Sequence, residues 1–242
     1  MLKRLFSIML AVVVISGMFT GCGSSSAKNN QTTKNDSAEK SSDINSSSNA
    51  VTEAVQNNTD NENILIAYFS VPENVDTDGI DANSGASIVV KNKDVLGNMQ
   101  YMAMTIQEAI GGELFRIETK EKYPLEHETL VNQAKEEQNE EVRPELATHI
   151  ENVEQYDMIF LGYPNWWGDM PQPLYTFLEE YDFSGKTIIP FNSHGGSGFS
   201  NTIEEKKKLQ SNATVRDDGL SISRNDVADS EQEITDWAKG LQ

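Results

Sequence analysis

The sequence predicts an open α/β sheet, with parallel strands buried between two layers of helices. Three observations carry that prediction. Continuous apolar runs recur at residues 63–69, 158–162 and 187–191, in the form taken by strands buried on both faces. Patterns of helical period separate them. Loops rich in Gly, Asn, Ser or aromatic residues follow the runs, and in open α/β sheets ligands bind beyond the carboxyl ends of the strands.

The elements follow in chain order. Ile64, Leu65, Ile66, Ala67, Tyr68 and Phe69 make the first strand. Met102, Ala103, Ile106, Ala109 and Ile110 share one helical face, and Gly111-Gly112 ends that helix. Residues 113–117, Glu-Leu-Phe-Arg-Ile, alternate and predict an edge strand. The polar, acidic stretch 126–155 predicts one or two exposed helices. Met158 to Gly162 is the next buried strand, and Leu174, Phe177, Leu178 and Tyr181 mark a helix by their i, i+3, i+4, i+7 spacing. The run from Thr187 to Phe191 is weakened as a strand by Pro190, which has no N–H for the ladder. Thr214-Val215-Arg216 or Leu220-Ser221-Ile222 supplies a fifth strand, with Asp218-Gly219 as a turn between them. Ile234, Trp237, Ala238 and Leu241 give the last helix, opened by a capping box of Ser230 and Glu233.

The 242 residues divide into three parts, 1–22, 23–62 and 63–242. Lys3 and Arg4 precede an apolar run over 5–19, the pattern of an export signal. The run is short of the roughly 20 residues of a membrane span. Phe19-Thr20-Gly21-Cys22 resembles the lipobox of bacterial lipoproteins, although Phe19 stands where an aliphatic residue is usual. The resemblance implies lipidation at Cys22, export by the general route and an extracytoplasmic protein held on the cell membrane. Residues 23–62 are dominated by Ser, Asn, Thr and Gln and contain no aromatic residue. Such a segment buries too little apolar surface to offset its ordering entropy, so it reads as a tether.

The folded part keeps the acidity. The tether holds six acids and three bases and the leader two bases, which leaves 32 acids and 14 bases in residues 63–242, a net charge of −18. A surface of that sign repels phosphate backbones and disfavours a nucleic-acid partner. Cys22 is the sole cysteine, so a disulfide within the chain and a multi-cysteine metal site are both excluded. His127, His149 and His194 lack ligand spacing, and no metal is expected. Asn74-x-Asp76-x-Asp78-Gly79 starts like a calcium loop but has Gly85 where a bidentate Glu is needed, so it reads as an Asx-rich turn. Lys206-Lys207-Lys208 reads as a solvated helix face.

Three loops carry chemistry. Ser70 ends the first strand, and Gly97-Asn98-Met99-Gln100 opens the first helix, where free N–H groups and a hydroxyl suit an anion. Pro164-Asn165-Trp166-Trp167-Gly168 follows the third strand, and two adjacent indoles between prolines cannot both face a core. His194-Gly195-Gly196-Ser197-Gly198 follows the fourth, with glycines that let backbone approach a ligand. Its start is like an esterase oxyanion loop, but the chain has no G-x-S-x-G elbow, which argues against a serine hydrolase.

These motifs resemble the flavodoxin family over nearly all of residues 63–242. Ile-Ala-Tyr-Phe-Ser70 followed by Gly97-Asn98 is similar to the family's phosphate loop, and Trp167-Gly168-Asp169 to its Trp-Gly-Asp. Gly162-Tyr163-Pro164-x-Trp166 is similar to a divergent branch with reductase-like members. The resemblance implies a five-stranded parallel sheet of order 2-1-3-4-5, with FMN at the switch point between the first and third strands. It implies that Ser70, Gly97, Asn98, Met99 and Gln100 hold the phosphate. Trp166 or Trp167 would stack on the ring, Pro164, Asn165 and Gly168 would line its edge, and His194, Gly195 and Gly196 would form the opposite loop. Met99 departs from the family, which has a Thr hydroxyl there. Residues 71–96 are an insertion within the phosphate loop, and Ser87-Ile88-Val89-Val90 in it predicts an extra strand or flap.

The function implied is electron transfer by bound FMN, with a redox protein or a small acceptor such as a quinone as partner. Two alternatives remain open at the level of sequence. One is an FMN oxidoreductase that uses NAD(P)H or a quinone. The other is a surface binding module that keeps the fold without the flavin, to which Met99 points.

Overall fold

The computed structural model describes residues 63–72, 76, 78, 85 and 87–242. The leader, the lipobox with Cys22 and the tether lie outside the described residues, as do Asn74 and Gly79.

Five positions across one parallel sheet organise the protein. The strands are β1 (Ile64–Tyr68), β4 (Glu113–Arg116), β5 (Met158–Pro164), β6 (Thr187–His194), β7 (Thr214–Val215) and β8 (Leu220–Ser223), in the order β4-β1-β5-β6-β7 with β8 also on β6. All pairs are parallel, with Ile66 beside Leu114 on one side and Phe160 on the other. Relabelled by sheet position, this is the order 2-1-3-4-5. The chain leaves β1 first toward β4 and later returns to its other side with β5, so the order reverses between β1 and β5.

Alternate residues of each strand feed two cores. Ile64, Ile66, Tyr68, Phe160 and Phe191 face α1 (Asn98–Ile110) and α5 (Glu231–Lys239). Leu65, Ala67, Phe69, Ile159 and Leu161 face α2 (His127–Asn139) and α3 (Gln172–Glu180), with Ile203 and Leu209 of α4 (Thr202–Leu209) packed at the rim. Gly111 and Gly112 take φ of +76° and +100° and end α1 where the glycine pair predicts. In the stretch 126–155 the described structure has one helix, α2, capped by the Glu126 carboxylate on the amides of Glu128 and Thr129. An extended return follows, bridging Thr119 and Leu146, and then a single 3-10 turn at Val153–Gln155.

Four local expectations need correction or completion. The insertion carries an antiparallel hairpin, β2 (Ile88–Lys91) and β3 (Asp94–Gly97), turned at Asn92 and Lys93, both at positive φ. The fifth strand is both candidates together, because β7 and β8 run parallel to β6 and no hairpin joins them. Ser230 sits at the start of α5 but forms no box with Glu233. Its hydroxyl donates to Asp226 O at 2.8 Å, because the 3-10 turn at Val227–Asp229 holds Ser230 at φ −100°, ψ 17° and aims it backward. Lys206 is fully buried, unlike its neighbours Lys207 and Lys208, which form surface ion pairs.

Candidate functional site

Beyond the carboxyl ends of β5, β6 and β8 lies a cleft of about 560 Å³. Val71, just past β1, also lines it, so the cleft stands at the reversal between β1 and β5. That is where an open α/β sheet leaves a crevice.

The first wall is a tight turn over residues 164–169. Trp166 N donates to Asp169 O at 2.9 Å and Asp169 N to Trp166 O at 3.0 Å. Trp167 and Gly168 form its centre at φ of +56° and +78°, the geometry of a two-residue turn in which both central residues are left-handed. This turn sends the two indoles apart. Trp166 goes inward and meets Phe69 and Tyr123 edge-on, with ring centres 5.5 and 5.4 Å away. Tyr123 is fixed in turn by its hydroxyl on Glu137 of α2 at 2.6 Å, and burial followed by that bond pushes its pKa well up. Trp167 goes outward and is 52% exposed. Its indole N–H donates to Val131 O on α2 at 2.9 Å, and Lys135 lies over its ring.

The second wall is the glycine-rich loop after β6. Gly196 N donates to His194 Nδ1 at 2.9 Å, which in the neutral ring leaves the proton on Nε2. A Cβ at Gly196 would meet nothing within 4 Å, so the room for a side chain is left to the cleft. Asn165 joins the two walls. Its Nδ2 donates to Gly198 O at 2.9 Å and to Ser200 Oγ at 3.1 Å, while its Oδ1 accepts from Gly168 N at 3.1 Å.

Of the residues singled out in the sequence, the cleft gathers Pro164, Asn165, Trp166, Trp167, Gly168, His194, Gly195 and Gly196. Ser70, Gly97, Asn98, Met99 and Gln100 are not on its lining. Ser70 opens on a second cleft of about 430 Å³ that shares Val71 with the first. Gly97 N is taken by Gln100 Oε1 at 3.3 Å, and Asn98 N by Ser87 O at 2.9 Å. Met99, in the first turn of α1, is buried in the core. Leu130, Val131, Ala134 and Arg224 also line the cleft without having been singled out, as do His127 and Ser87, which the sequence offered in other roles. Arg224 stood in plain view, since it directly follows a strand, where ligands bind in such sheets. The α2 residues gave no local signal, because nothing in their spacing tells which helix overhangs the strand ends.

Fold and cleft define a doubly wound α/β protein with its candidate ligand cleft at the switch point. The family model described as flavodoxin matches residues 87–241. The chain therefore belongs to the flavodoxin family. Two solved Bacteroides structures, assigned as flavoproteins, are similar over their full domains. That from Bacteroides eggerthii is 26% identical with a TM-score of 0.54, covering 75% of this chain and 98% of its own. That from Bacteroides uniformis is 26% identical with a TM-score of 0.56, covering 74% and 98%. A flavoprotein of Lactobacillus acidophilus, solved in complex with FMN, shares the fold at 17% identity and a TM-score of 0.50, covering 73% of this chain and 99% of its own. A comparison with curated proteins finds no match.

Proposed function

We propose that this chain is an FMN-binding electron carrier, held outside the cytoplasmic membrane by a lipid on Cys22. The observation that carries the flavin part is the cleft. Its 560 Å³ suits a cofactor, and its walls combine apolar side chains with a glycine loop at the switch point. FMN is the cofactor that family membership leads one to expect, and the Lactobacillus acidophilus structure holds it. The residues present fit the group. Trp167, Leu130 and Val131 offer a flat apolar surface to a ring system, and the Nε2–H of His194 and the backbone of Gly195 and Gly196 offer polar atoms to its edge. When bound, FMN supplies reversible electron transfer. The chain's own part is to bind, orient and shield it.

Titration of the purified chain with FMN tests this directly. The expected outcome is saturable quenching of flavin fluorescence at one FMN per chain, with a two-band absorption spectrum. A colourless protein that leaves FMN fluorescence unchanged overturns the flavin reading in favour of the flavin-free module. The anchor has its own test. Cys22→Ala is expected to move the protein from the membrane fraction to the soluble extracytoplasmic fraction, and unchanged membrane association would remove the lipid from the proposal.

One observation favours an oxidoreductase as second reading. An enzyme needs a substrate pocket beside its flavin, and the cleft lined by Ser70, Pro72, Arg116 and Tyr123 meets the first at Val71. Steady NAD(P)H oxidation with a quinone, abolished by filling that cleft through Ser70→Phe, is the outcome that selects it.

A further inference from the structure

We propose that Arg224, together with Ser87, anchors the phosphate of the bound nucleotide beside the start of α1. This rests on the chain binding FMN. Among the described residues, the start of α1 departs from the family's phosphate loop in three ways. Met99 replaces a hydroxyl and is 1% exposed, turned into the core. The amides of Gly97 and Asn98 are taken by Gln100 Oε1 and Ser87 O. None of residues 97–100 lines the cleft. The hairpin β2-β3 explains the change, because its first strand lays Ser87 across the helix start.

Arg224 lies on the cleft, and among the described residues no carboxylate pairs with it. Arg116, Arg143 and Arg216 pair with Glu118, Glu179 and Asp218. Among the described residues the guanidinium of Arg224 makes neither an ion pair nor a hydrogen bond, although residues 63–242 hold 32 acids. A half-buried guanidinium with no carboxylate among the described residues keeps its fork of donors open to an anion in the cleft. Its backbone is pinned at both ends, since Arg224 N donates to His194 O at 2.8 Å and Arg224 O accepts from Asn98 Nδ2 at 3.1 Å. The side chain therefore starts between the glycine loop and the start of α1. The guanidinium runs alongside the glycine loop, with Nε 4.0 Å from where a Cβ on Gly195 would stand.

The cleft is thus polarised. Arg224, Ser87 and the glycine loop meet the start of α1, while Trp167 is bound to Val131 of α2 on the other side. A planar aromatic group ending in a phosphate monoester matches that division. The fork of a guanidinium binds two phosphate oxygens at once, which neither a backbone amide nor a lysine does.

The test compares FMN with riboflavin, which has the same ring and no phosphate, by fluorescence quenching of the purified full chain. In the native protein FMN is expected to bind at least tenfold more tightly than riboflavin. Arg224→Gln is expected to weaken FMN about 10–100-fold and to leave riboflavin within about threefold. Arg224→Lys should restore part of the loss, and Ser87→Ala should weaken FMN alone, by less. Retained riboflavin binding shows that each variant folds with its site intact. If Arg224→Gln keeps the native FMN-to-riboflavin ratio, the phosphate is held elsewhere and the inference fails while FMN binding stands. If the native chain binds neither flavin, the flavin reading fails and this inference with it.

Discussion

Single residues in this protein show local cost set against a site or a core. Trp167 is a bulky side chain at φ +56°, where Asn or Gly is the usual occupant of such a turn. Holding it there costs on the order of 1–3 kcal/mol. The return is an indole set at the cleft mouth and tied to Val131 O. Trp167→Asn should therefore separate stability from binding. The urea midpoint is expected to hold or rise, by up to about 1 kcal/mol in free energy once the lost indole bond is counted, while FMN affinity falls at least tenfold. A variant that loses both together would mean that the indole is mainly a structural brace. Lys206 shows the opposite case, a residue whose place the sequence hides. Its Nζ donates to Thr202 O at 3.2 Å and lies 3.8 Å from the centre of the Tyr163 ring. A desolvated cation over a ring gains about 2 kcal/mol, but burying the ion costs several. Burial wins, and holds the amine's pKa well below its usual value against a weaker pull from Asp169. From that depressed value up to about 10.4 the unfolded chain binds the extra proton, so the Lys206 contribution makes stability rise with pH. Lys206→Met is expected to gain on the order of 1–2 kcal/mol at pH 7, with the gain shrinking toward pH 10. Above about pH 10, tyrosines held protonated by burial, such as Tyr156 with its pKa pushed up to about 12, act in the other direction. The comparison therefore belongs below that point. A loss of stability in this variant at pH 7 would show that the amine is charged and that the ring holds it.

At the scale of elements, Pro190 decides how the last strand is built. Arg216 N donates to Ile188 O and Arg224 N to His194 O, so the even-numbered residues of β6 turn their peptide groups toward β7 and β8. Pro190 shares that phase and has no N–H to give. The ladder breaks opposite it, between the pairs Ile188–Val215 and Phe191–Leu220, and Gly219 crosses the gap. A Cβ at Gly219 would come within 2.3 Å of the Pro190 carbonyl oxygen, a backbone atom that cannot step aside. Gly219→Ala is thus expected to push β8 off the sheet. A destabilisation of about 2–3 kcal/mol should appear in chemical unfolding, and FMN affinity should drop with it because Arg224 directly follows β8. An alanine variant of native stability would refute the close approach. The same strand shows what the sequence discloses. Pro190 announced a weak ladder, but the proline alone does not tell whether the chain resumes pairing beyond it, so the two halves read as alternatives. The buried strands β1, β5 and β6 were legible because parallel strands covered on both faces must be apolar at every position. The hairpin β2-β3 was half legible. Its apolar run is short, and the turn at Asn92 and Lys93 has no glycine to mark it. Lys206 was not legible because α4 has only Ile203 and Leu209 to set its helical phase, and a run of three lysines gives no hint that one points inward. In the site, the walls after β5 and β6 could be read from Trp, Gly and Asn in series. The phosphate end could not, because a family pattern at Gly97-Asn98 survives in sequence while in space Gln100 takes the Gly97 amide and Ser87 the Asn98 amide.

For the whole molecule, the net −18 on residues 63–242 sets two expectations. The first concerns partners. An acidic surface speeds encounter with a basic redox protein and not with a neutral quinone. The second concerns the cofactor itself, because FMN carries a phosphate dianion toward a protein of its own sign. Two effects compete. Arg224 attracts the phosphate at contact distance, where salt screens little. The remaining charge repels it over tens of ångströms, and that repulsion acts across a Debye length of about 30 Å at 0.01 M salt but only about 8 Å at 0.15 M. At roughly 20 Å in water a pair of unit charges is worth about 0.2 kcal/mol unscreened, so one such pair is negligible and the sum over a net eighteen charges and a dianion is several kcal/mol. Added salt removes most of that sum and little of the contact. Association with FMN should therefore tighten, by about tenfold or more, as sodium chloride rises from 0.01 to 0.15 M. Riboflavin has no phosphate and should show a flat dependence over the same range. Equilibrium titrations of both flavins at four salt concentrations check the sign. An FMN affinity that weakens with salt would mean that the contact with Arg224 outweighs the field of the whole domain. In that case Arg224→Gln should reverse the slope, since it removes the attraction and leaves the repulsion in place.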